Sequence, residues 1–451
     1  MTMSKRKLLR VIVSLLIIAS ARYFPLVNSS GEDSIVADFY DETTINRIAF
    51  GSCSFPKKPQ PLWKHISSQQ PDVWVWLGDA VYADTKVAPL LWTPSPLSEM
   101  VEKFNYLKFS SEYQEFLRSG IKVLGVWDDH DYGMNNGGKH YKDRLQAQGV
   151  YLDFLDEPAE SIRRKREGTY VSYSFGTGDK SIKLILLDTR SHLKWGPECD
   201  ILGAEQWSWL ETQLSDPNPA GLTIIGSGIQ VISDVPYTDR WTGCPSSYDR
   251  LIWLVQRNPR VILISGDVHF GEFSCLNSTS TGYPLYEVTS SGLTATCVSW
   301  MSKATCRWLL ENVLTSSKRT HPFITELNYG LITVHWNDQP ISVTVEVRGE
   351  TGSYLKQTVS LGHLERVRDA SHCPQKLEDP PVIKKNLFYA IAICILTIIF
   401  AGLSRLIIFI LKILLTKIVL PLLGVTLQAP SSSGSSLQHT KHKNNKILKA
   451  E

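Results

Sequence analysis

The sequence predicts an α/β fold in which sheets pack between helices, followed near the C-terminus by a membrane-spanning helix. Three observations predict it. Short apolar, strand-like runs alternate with stretches of helical periodicity along most of the chain. Four short motifs made of metal-binding residue types each follow one of those runs. A charge-free apolar stretch, Leu387 to Ser404, comes after a proline-bearing linker.

Taken in order, the N-terminus is built as a secretory signal peptide over residues 1–21. Lys5, Arg6, Lys7 and Arg10 precede the apolar run Val11 to Ile18, and Ala19-Ser20-Ala21 supplies small residues at cleavage spacing. An uncleaved signal anchor is the alternative, and either carries the following domain across a membrane. Residues 22–44 read as a linker. A domain over 45–365 begins with Ile48 to Phe50, a helix-like stretch at Leu62 to Ser68 and the strand Val73 to Leu77, apolar on both faces. Glu99 to Leu117 has helical spacing, and Val123 to Trp127 is the next strand. Strands Lys183 to Leu187, Thr223 to Ile225 and Val261 to Ser265 follow, with helices at Ala204 to Leu214 and Ser247 to Gln256 between them. Gly330 to Trp336 and Ser342 to Arg348 alternate like antiparallel strands.

Residues 366–386, with Pro374, Pro380 and Pro381, read as a stalk. A transmembrane helix is expected over 387–404, since about 18 residues at about 1.5 Å each span close to a bilayer core. Arg405, Lys412 and Lys417 suit a cytoplasmic flank, although Lys384 and Lys385 weaken the asymmetry. Residues 405–427 are apolar but basic, so a second span, an extension of the first helix or a surface-lying helix all fit. The Ser- and Lys-rich tail 428–451 reads as disordered. The expected product is a single-pass type I membrane protein of the secretory pathway, its main domain lumenal or extracellular.

At 451 residues and a formal net charge of +3, the chain is long enough for a large core and too nearly neutral to imply a polyanionic partner. No nucleic-acid module or basic stripe is visible. Of eight cysteines, Cys394 lies in the membrane run and Cys53 in a motif. The other six, Cys199, Cys244, Cys275, Cys297, Cys306 and Cys373, can form three disulfides of open connectivity. Asn28 and Asn277 head glycosylation acceptors.

The four motifs are Gly51-Ser52-Cys53, Gly78-Asp79-Ala80-Val81-Tyr82, Trp127-Asp128-Asp129-His130-Asp131 and Gly266-Asp267-Val268-His269. Strand ends at one edge of a sheet lie close in space, so a thiol, several carboxylates, two imidazoles and a phenol are expected to converge. Aspartate can bridge two cations, imidazole suits iron or zinc, and thiolate and phenolate stabilise iron(III). Two cations about 3.5–4 Å apart can hold a phosphoryl group and acidify a bound water. Alone, Gly-Asp is often a turn and a buried cysteine is often core. Three carboxylates within four residues after a buried strand need a compensating cation. The glycines of Gly78-Asp79 and Gly266-Asp267 let the backbone turn out of a strand.

Over roughly Arg47 to Gly349 the chain resembles the alkaline phosphatase D (PhoD-like) branch of the calcineurin-like metallophosphatases. Leu187-Asp188-Thr189-Arg190 and the segment Leu202 to Leu210 look like further signatures of that branch. The wider superfamily usually has Asp-x-His, Gly-Asp-x-x-Asp and Gly-Asn-His, where this chain has Cys53, Tyr82 and Asp129-His130. The resemblance implies a four-layer α/β/β/α sandwich. It implies that Cys53 and Tyr82 bind an iron(III)-like ion, that Asp79 bridges, and that Asp129, Asp267 and His269 complete the cluster with calcium. His130 would assist the leaving group, and Arg190 would grip a phosphate oxygen or form a structural salt bridge. Asp128 and Asp131 would fix the histidine and the metals. One further ligand is expected from Ser227 to Asp234, without a named residue.

The resulting expectation is a membrane-anchored phosphohydrolase in which metal-activated hydroxide attacks the phosphorus of a mono- or diester in line. A lipid phosphodiester is an alternative substrate. A catalytically silent surface protein of the same fold would show a lost motif residue, and none is lost. A serine hydrolase would need Gly-x-Ser-x-Gly, which Gly226-Ser227-Gly228 does not supply.

Overall fold

Strand β3, Val73–Leu77, reads Val-Trp-Val-Trp-Leu and is buried throughout. Successive side chains of a strand point to opposite faces. Val73, Val75 and Leu77 enter one apolar cluster, and Trp74 and Trp76 enter another. A strand apolar on both faces requires a cover on each, and this requirement organises the domain. The computed structural model describes residues 37–88, 91–216, 218–365, 373–374 and 382–422. The expected signal peptide, Asn28, most of the expected linker and stalk, and the expected tail lie outside the described residues.

Besides β3, the strands are β1 Phe39–Asp41, β2 Arg47–Gly51, β4 Thr85–Ala88, β5 Leu91–Thr93, β6 Lys122–Val126, β7 Val171–Phe175, β8 Ile182–Leu187 and β9 Leu222–Ser227. They continue with β10 Val261–Ser265, β11 Gly271–Leu276, β12 Leu285–Ser290, β13 Tyr329–His335, β14 Ser342–Gly349 and β15 Gly352–Ser360. One sheet has the order β1-β7-β8-β9-β10-β12-β11 and the other β15-β14-β13-β2-β3-β6, while β4 and β5 pair separately. Within the first sheet β8, β9, β10 and β12 run parallel. Within the second β2, β3 and β6 run parallel.

The first cluster joins the two sheets: Phe50, Val75, Val126 and Val345 of one meet Val171, Leu184, Ile224 and Val288 of the other. On the far face of the second sheet, Trp74 and Trp76 pack with Trp63 of the helix Leu62–Ser68. Trp63 meets both rings near edge-to-face, at 5.1 and 5.4 Å, the arrangement aromatic quadrupoles favour. On the far face of the first sheet, Ile185, Ile225 and Leu263 lie under the helices Gly203–Leu214 and Pro245–Arg257.

The structure refines several expected elements. The periodicity of Glu99 to Leu117 is two helices, Leu97–Lys108 and Ser111–Arg118. The unforeseen strands β1, β4, β5, β7, β11, β12 and β15 are short or polar-edged segments whose strand character depends on their partners. The six cysteines left open pair as Cys199–Cys244, Cys275–Cys373 and Cys297–Cys306, while Cys53 and Cys394 are free.

The described residues fall into two units, one up to Pro374 and one from Val382 onwards. In the second, a helix runs from Val382 to Leu414, through Arg405 and past the expected end at Ser404, and continues in a π-helical turn, Leu415–Val419. Among the described residues one segment, Thr397–Val419, is long and apolar enough to cross a membrane.

Phe50 is fully buried opposite Gly330, where an added Cβ would meet its ring at 2.1 Å. Phe50→Ala therefore leaves a cavity directly between the sheets. The expected loss is about 3–5 kcal/mol, seen as a lower urea midpoint at unchanged slope.

Candidate metal centre

Strands β2, β3, β6 and β10 end in the four motifs; parallel pairing aligns the ends of the first three within one sheet, and the core shared by the sheets brings the end of β10, from the other sheet, against them. The backbone there is unusual. Cys53, Asp79, Asp267 and His269 all have positive φ, at 61°, 51°, 74° and 62°. Non-glycine residues rarely adopt this region without a compensating role. Gly78 (φ 85°) must also be glycine, since a Cβ would lie 2.2 Å from that of Asp128. Gly266 serves differently: its φ is ordinary, but a Cβ would meet Ser52 Oγ at 2.5 Å. Close approach of two loops, rather than a left-handed turn, fixes that second glycine.

Among the described residues, ligand atoms of Asp79, Asp129 and His130 can lie within 4.8 Å of one another, as can those of Asp128, Asp129 and Asp267. Cys53 Sγ is 3.5 Å from Asp79 Oδ2 and 3.0 Å from Ser291 Oγ. The ring of Tyr82 stacks on Phe55 at 3.7 Å and lies 4.1 Å from His130 and 6.5 Å from His269. Its buried hydroxyl makes no hydrogen bond of acceptable geometry, although the Cys53 thiol is near enough to act on it electrostatically. All six residues expected to hold metal are thus neighbours.

Charge is the dominant feature. Asp79, Asp128, Asp129 and Asp131 are buried and Asp267 is half-buried. Burial, then mutual repulsion, pushes the carboxyls of Asp79 and Asp267 well up. Burial also raises Asp131 to about 8, and raises Asp128 to about 6 against the pull of Arg190. Asp129 alone is lowered: burial opposes this, but His130, Arg190 and the N–H groups of Asn136 and His130 outweigh it. Burial likewise lifts the Cys53 thiol and the Tyr82 phenol. The donor set and the unpartnered phenol therefore fit cations that would replace the missing positive charge.

The imidazoles differ. His269 Nδ1 bonds the Ala295 carbonyl at 2.7 Å, which leaves Nε2 as a lone-pair donor, and burial holds its pKa down to about 4. His130 Nδ1 meets Asp84 Oδ1 at 2.7 Å. Burial alone would lower His130, yet Asp129 and Asp84 raise it.

Arg190 is fully buried and forks onto Asp128 through Nε and Nη2, with Nη1 2.6 Å from Asp239. The two further signatures meet here. Asp188 accepts from the N–H groups of Arg190 and Ser191, and Gln206 bonds both the N–H and the carbonyl of Asp188 at 2.9 Å. Asp131 ties two motifs together by accepting from the N–H of Val81 at 2.9 Å and of Asp128 at 3.4 Å.

Within Ser227 to Asp234 the carboxylate of Asp234 is bound by Ser316 and Ser317. The segment instead approaches the centre through its backbone at Gly228, where a Cβ would lie 2.8 Å from Asp128 Oδ1. Sequence reading missed Asp84, Asp239 and Ser291. A signal existed for Asp84, two residues after Tyr82 in the second motif. Asp239 and Ser291 lie in loops without a distinctive pattern. Asn277 is exposed, and its Oδ1 accepts from the N–H of Cys373.

A family model described as PhoD-like phosphatase matches residues 48–345. The solved structure of PhoD is similar at 18% identity and a TM-score of 0.52, over 77% of this chain and 76% of that one, a likeness of fold. The crystal structure of TT1561 from Thermus thermophilus matches at 9% identity and a TM-score of 0.28, over 56% of this chain and 91% of that one, too weakly to support any inference. No curated protein matches the chain.

The charge pattern fixes a pH dependence for chelator-treated protein. Asp79, Asp131 and Asp267 bind protons more tightly folded than unfolded. Their contribution is full below about pH 4, the unfolded carboxylate range, and is lost as pH rises through the folded values, about 8 for Asp131. His269 acts oppositely, but only between about 4 and 6.5. The urea midpoint should fall from about pH 5 to about pH 8, and added metal should recover it. A midpoint that climbs across that window would contradict an uncompensated cluster.

Proposed function

The chain belongs to the PhoD-like phosphatase family, and from that premise we propose that it is a metal-dependent phosphohydrolase of phosphate mono- or diesters. One observation carries the reading: five carboxylates, a thiol and a phenol without a hydrogen-bond partner converge where four strands end, facing one buried guanidinium. The three disulfides and the apolar C-terminal helix support a type I membrane protein with its catalytic domain in an oxidising compartment. Helix-covered outer faces on two sheets that share a core support the four-layer sandwich.

We assign Cys53 and Tyr82 to an iron(III) ion, Asp79 to a bridging position, and Asp129, Asp267 and His269 to the rest of a cluster that includes calcium. Bound there, such cations would supply positive charge for the phosphoryl oxygens and acidify water near neutral pH. Cys53 and Tyr82 hold their protons tightly when buried, so they would serve as ligands only with those protons given up to a cation that supplies the missing positive charge. Asp79 touches both halves, lying near Cys53 and near the backbone N–H of His130.

Asp84 fixes the His130 ring through Nδ1 and favours its protonated form, which leaves Nε2–H for the departing oxygen. With its guanidinium engaged by Asp128 and Asp239, Arg190 is assigned to positioning rather than to gripping phosphate. Asp128 and Asp131 orient the loop that carries Asp129 and His130.

Full-length protein in detergent should contain iron and calcium and hydrolyse bis-p-nitrophenyl phosphate; neither metal nor turnover would end this reading. His130→Asn should keep its metals and lose about 10²–10⁴-fold in kcat. Asp84→Asn should shift the alkaline limb of the pH profile downwards, because His130 would give up its proton sooner. Tyr82→Phe removes a hydroxyl whose polar neighbour is the Cys53 thiol and which makes no well-formed hydrogen bond, so folding should be retained while iron content and any visible charge-transfer band disappear. An unchanged band in that variant would remove Tyr82 from the ligand set.

A further inference from the structure

Two lysines stand at the aromatic rim of this centre. Phe55 is stacked on one face of Tyr82 at an interplanar angle of 7°. Trp92, on the β4–β5 hairpin, lies 5.6 Å from Tyr82 and 4.7 Å from His130. Lys58 Nζ sits 5.0 Å over the ring of Phe55, and Lys86 Nζ sits 5.5 Å over that of Trp92. The inner face of Phe55 is filled by Tyr82, which places the Lys58 ammonium on the outer face.

Both lysines use their backbones locally, Lys58 N–H donating to the Phe55 carbonyl and Lys86 pairing with Trp92, but neither ammonium group has a carboxylate or hydrogen-bond partner among the described residues. That is unusual beside so acidic a centre, and it follows from the rings that stand between. The two ammonium groups also feel each other: burial, and then Lys86, pushes the pKa of Lys58 down. Two like charges held on the aromatic faces that flank Tyr82 and His130, and without a carboxylate partner among the described residues, are arranged to receive an anion.

Resting on the phosphohydrolase reading, we infer that Lys58 and Lys86 form a subsite for a second anionic group of the substrate, beside the phosphate that is cleaved. The preferred substrates are phosphate esters that carry a further phosphoryl or carboxylate group. The rings of Phe55 and Trp92 hold the ammonium groups without neutralising them. The metal-binding residues behind them take the scissile group.

The test is a matched pair of chromogenic esters: the p-nitrophenyl ester of thymidine 5′-phosphate, with and without a 3′-phosphate. Full-length protein should cleave the 3′-phosphorylated ester with a kcat/KM about tenfold higher, mainly through KM. The advantage should shrink with added salt, as rim charges are screened. The Lys58→Met/Lys86→Met double variant should bring the ratio to about one, and the Lys58→Arg/Lys86→Arg variant should keep it. A wild-type ratio of one, or a ratio untouched by the methionine pair, overturns the subsite. Failure to cleave either ester or bis-p-nitrophenyl phosphate would instead overturn the phosphohydrolase reading itself.

Discussion

The structure depends on concentrated negative charge at the point where strand ends of two sheets meet. Buried carboxylates repel one another strongly where little water screens them. Asp79, Asp128, Asp129, Asp131 and Asp267 cannot all ionise there when, among the described residues, Arg190 and His130 are the cations set against them. Much of the surrounding hydrogen bonding manages that conflict. Asp131 accepts two backbone N–H groups, Asp129 accepts those of His130 and Asn136, and Arg190 spans Asp128 and Asp239. What remains unmanaged lies around Asp79, Asp267, Cys53 and Tyr82, which is where cations would complete the balance.

Such a cluster needs a stiff support. The sheets provide it because their inner faces share one core and their outer faces are covered. The tryptophan contacts under β3 immobilise the strand that presents Asp79. The disulfide Cys297–Cys306 serves the fourth motif: Cys306 packs with Val268 and Phe270, which flank His269, and the N–H of Cys297 donates to the His269 carbonyl at 3.0 Å. Trp300, in the loop closed by that disulfide, lies edge-on to His269 at 4.4 Å. Rigidity near the centre is thus covalent as well as apolar.

Much of this was legible in the sequence, for reasons particular to each element. β3 and β10 are five-residue runs, almost wholly apolar, with Gly-Asp at their exits, and both the strand and the exit signal are local. Trp127 to Asp131 announced itself because three carboxylates so close together have few structural uses. The pairing of six cysteines was not legible, since connectivity depends on tertiary proximity. β1, β4, β5 and β7 were missed because their strand character comes from their partners. Asp84 was passed over because one more aspartate in a loop looks solvated, whereas here it is buried against His130. Arg190 was left between two roles. Its side-chain partners, Asp128 and Asp239, lie 62 and 49 residues away, and sequence offers no means of pairing them.

The strained backbone ties these points together. Cys53, Asp79, Asp267 and His269 occupy the left-handed region at the positions whose side chains carry the donors. Such conformations cost about 1–3 kcal/mol each for residues with a Cβ. Replacing these residues with glycine would relieve the backbone but delete the donors, so the fold holds strain and charge repulsion at one place. Both penalties fall on the metal-free protein. Cations bound there would relieve the repulsion, and bonds that only those conformations allow would offset the strain. Part of the binding free energy would then appear as folding stability. A domain built this way would be least secure without metal, and the shared core between the sheets must be large enough to hold the strand ends together in that state.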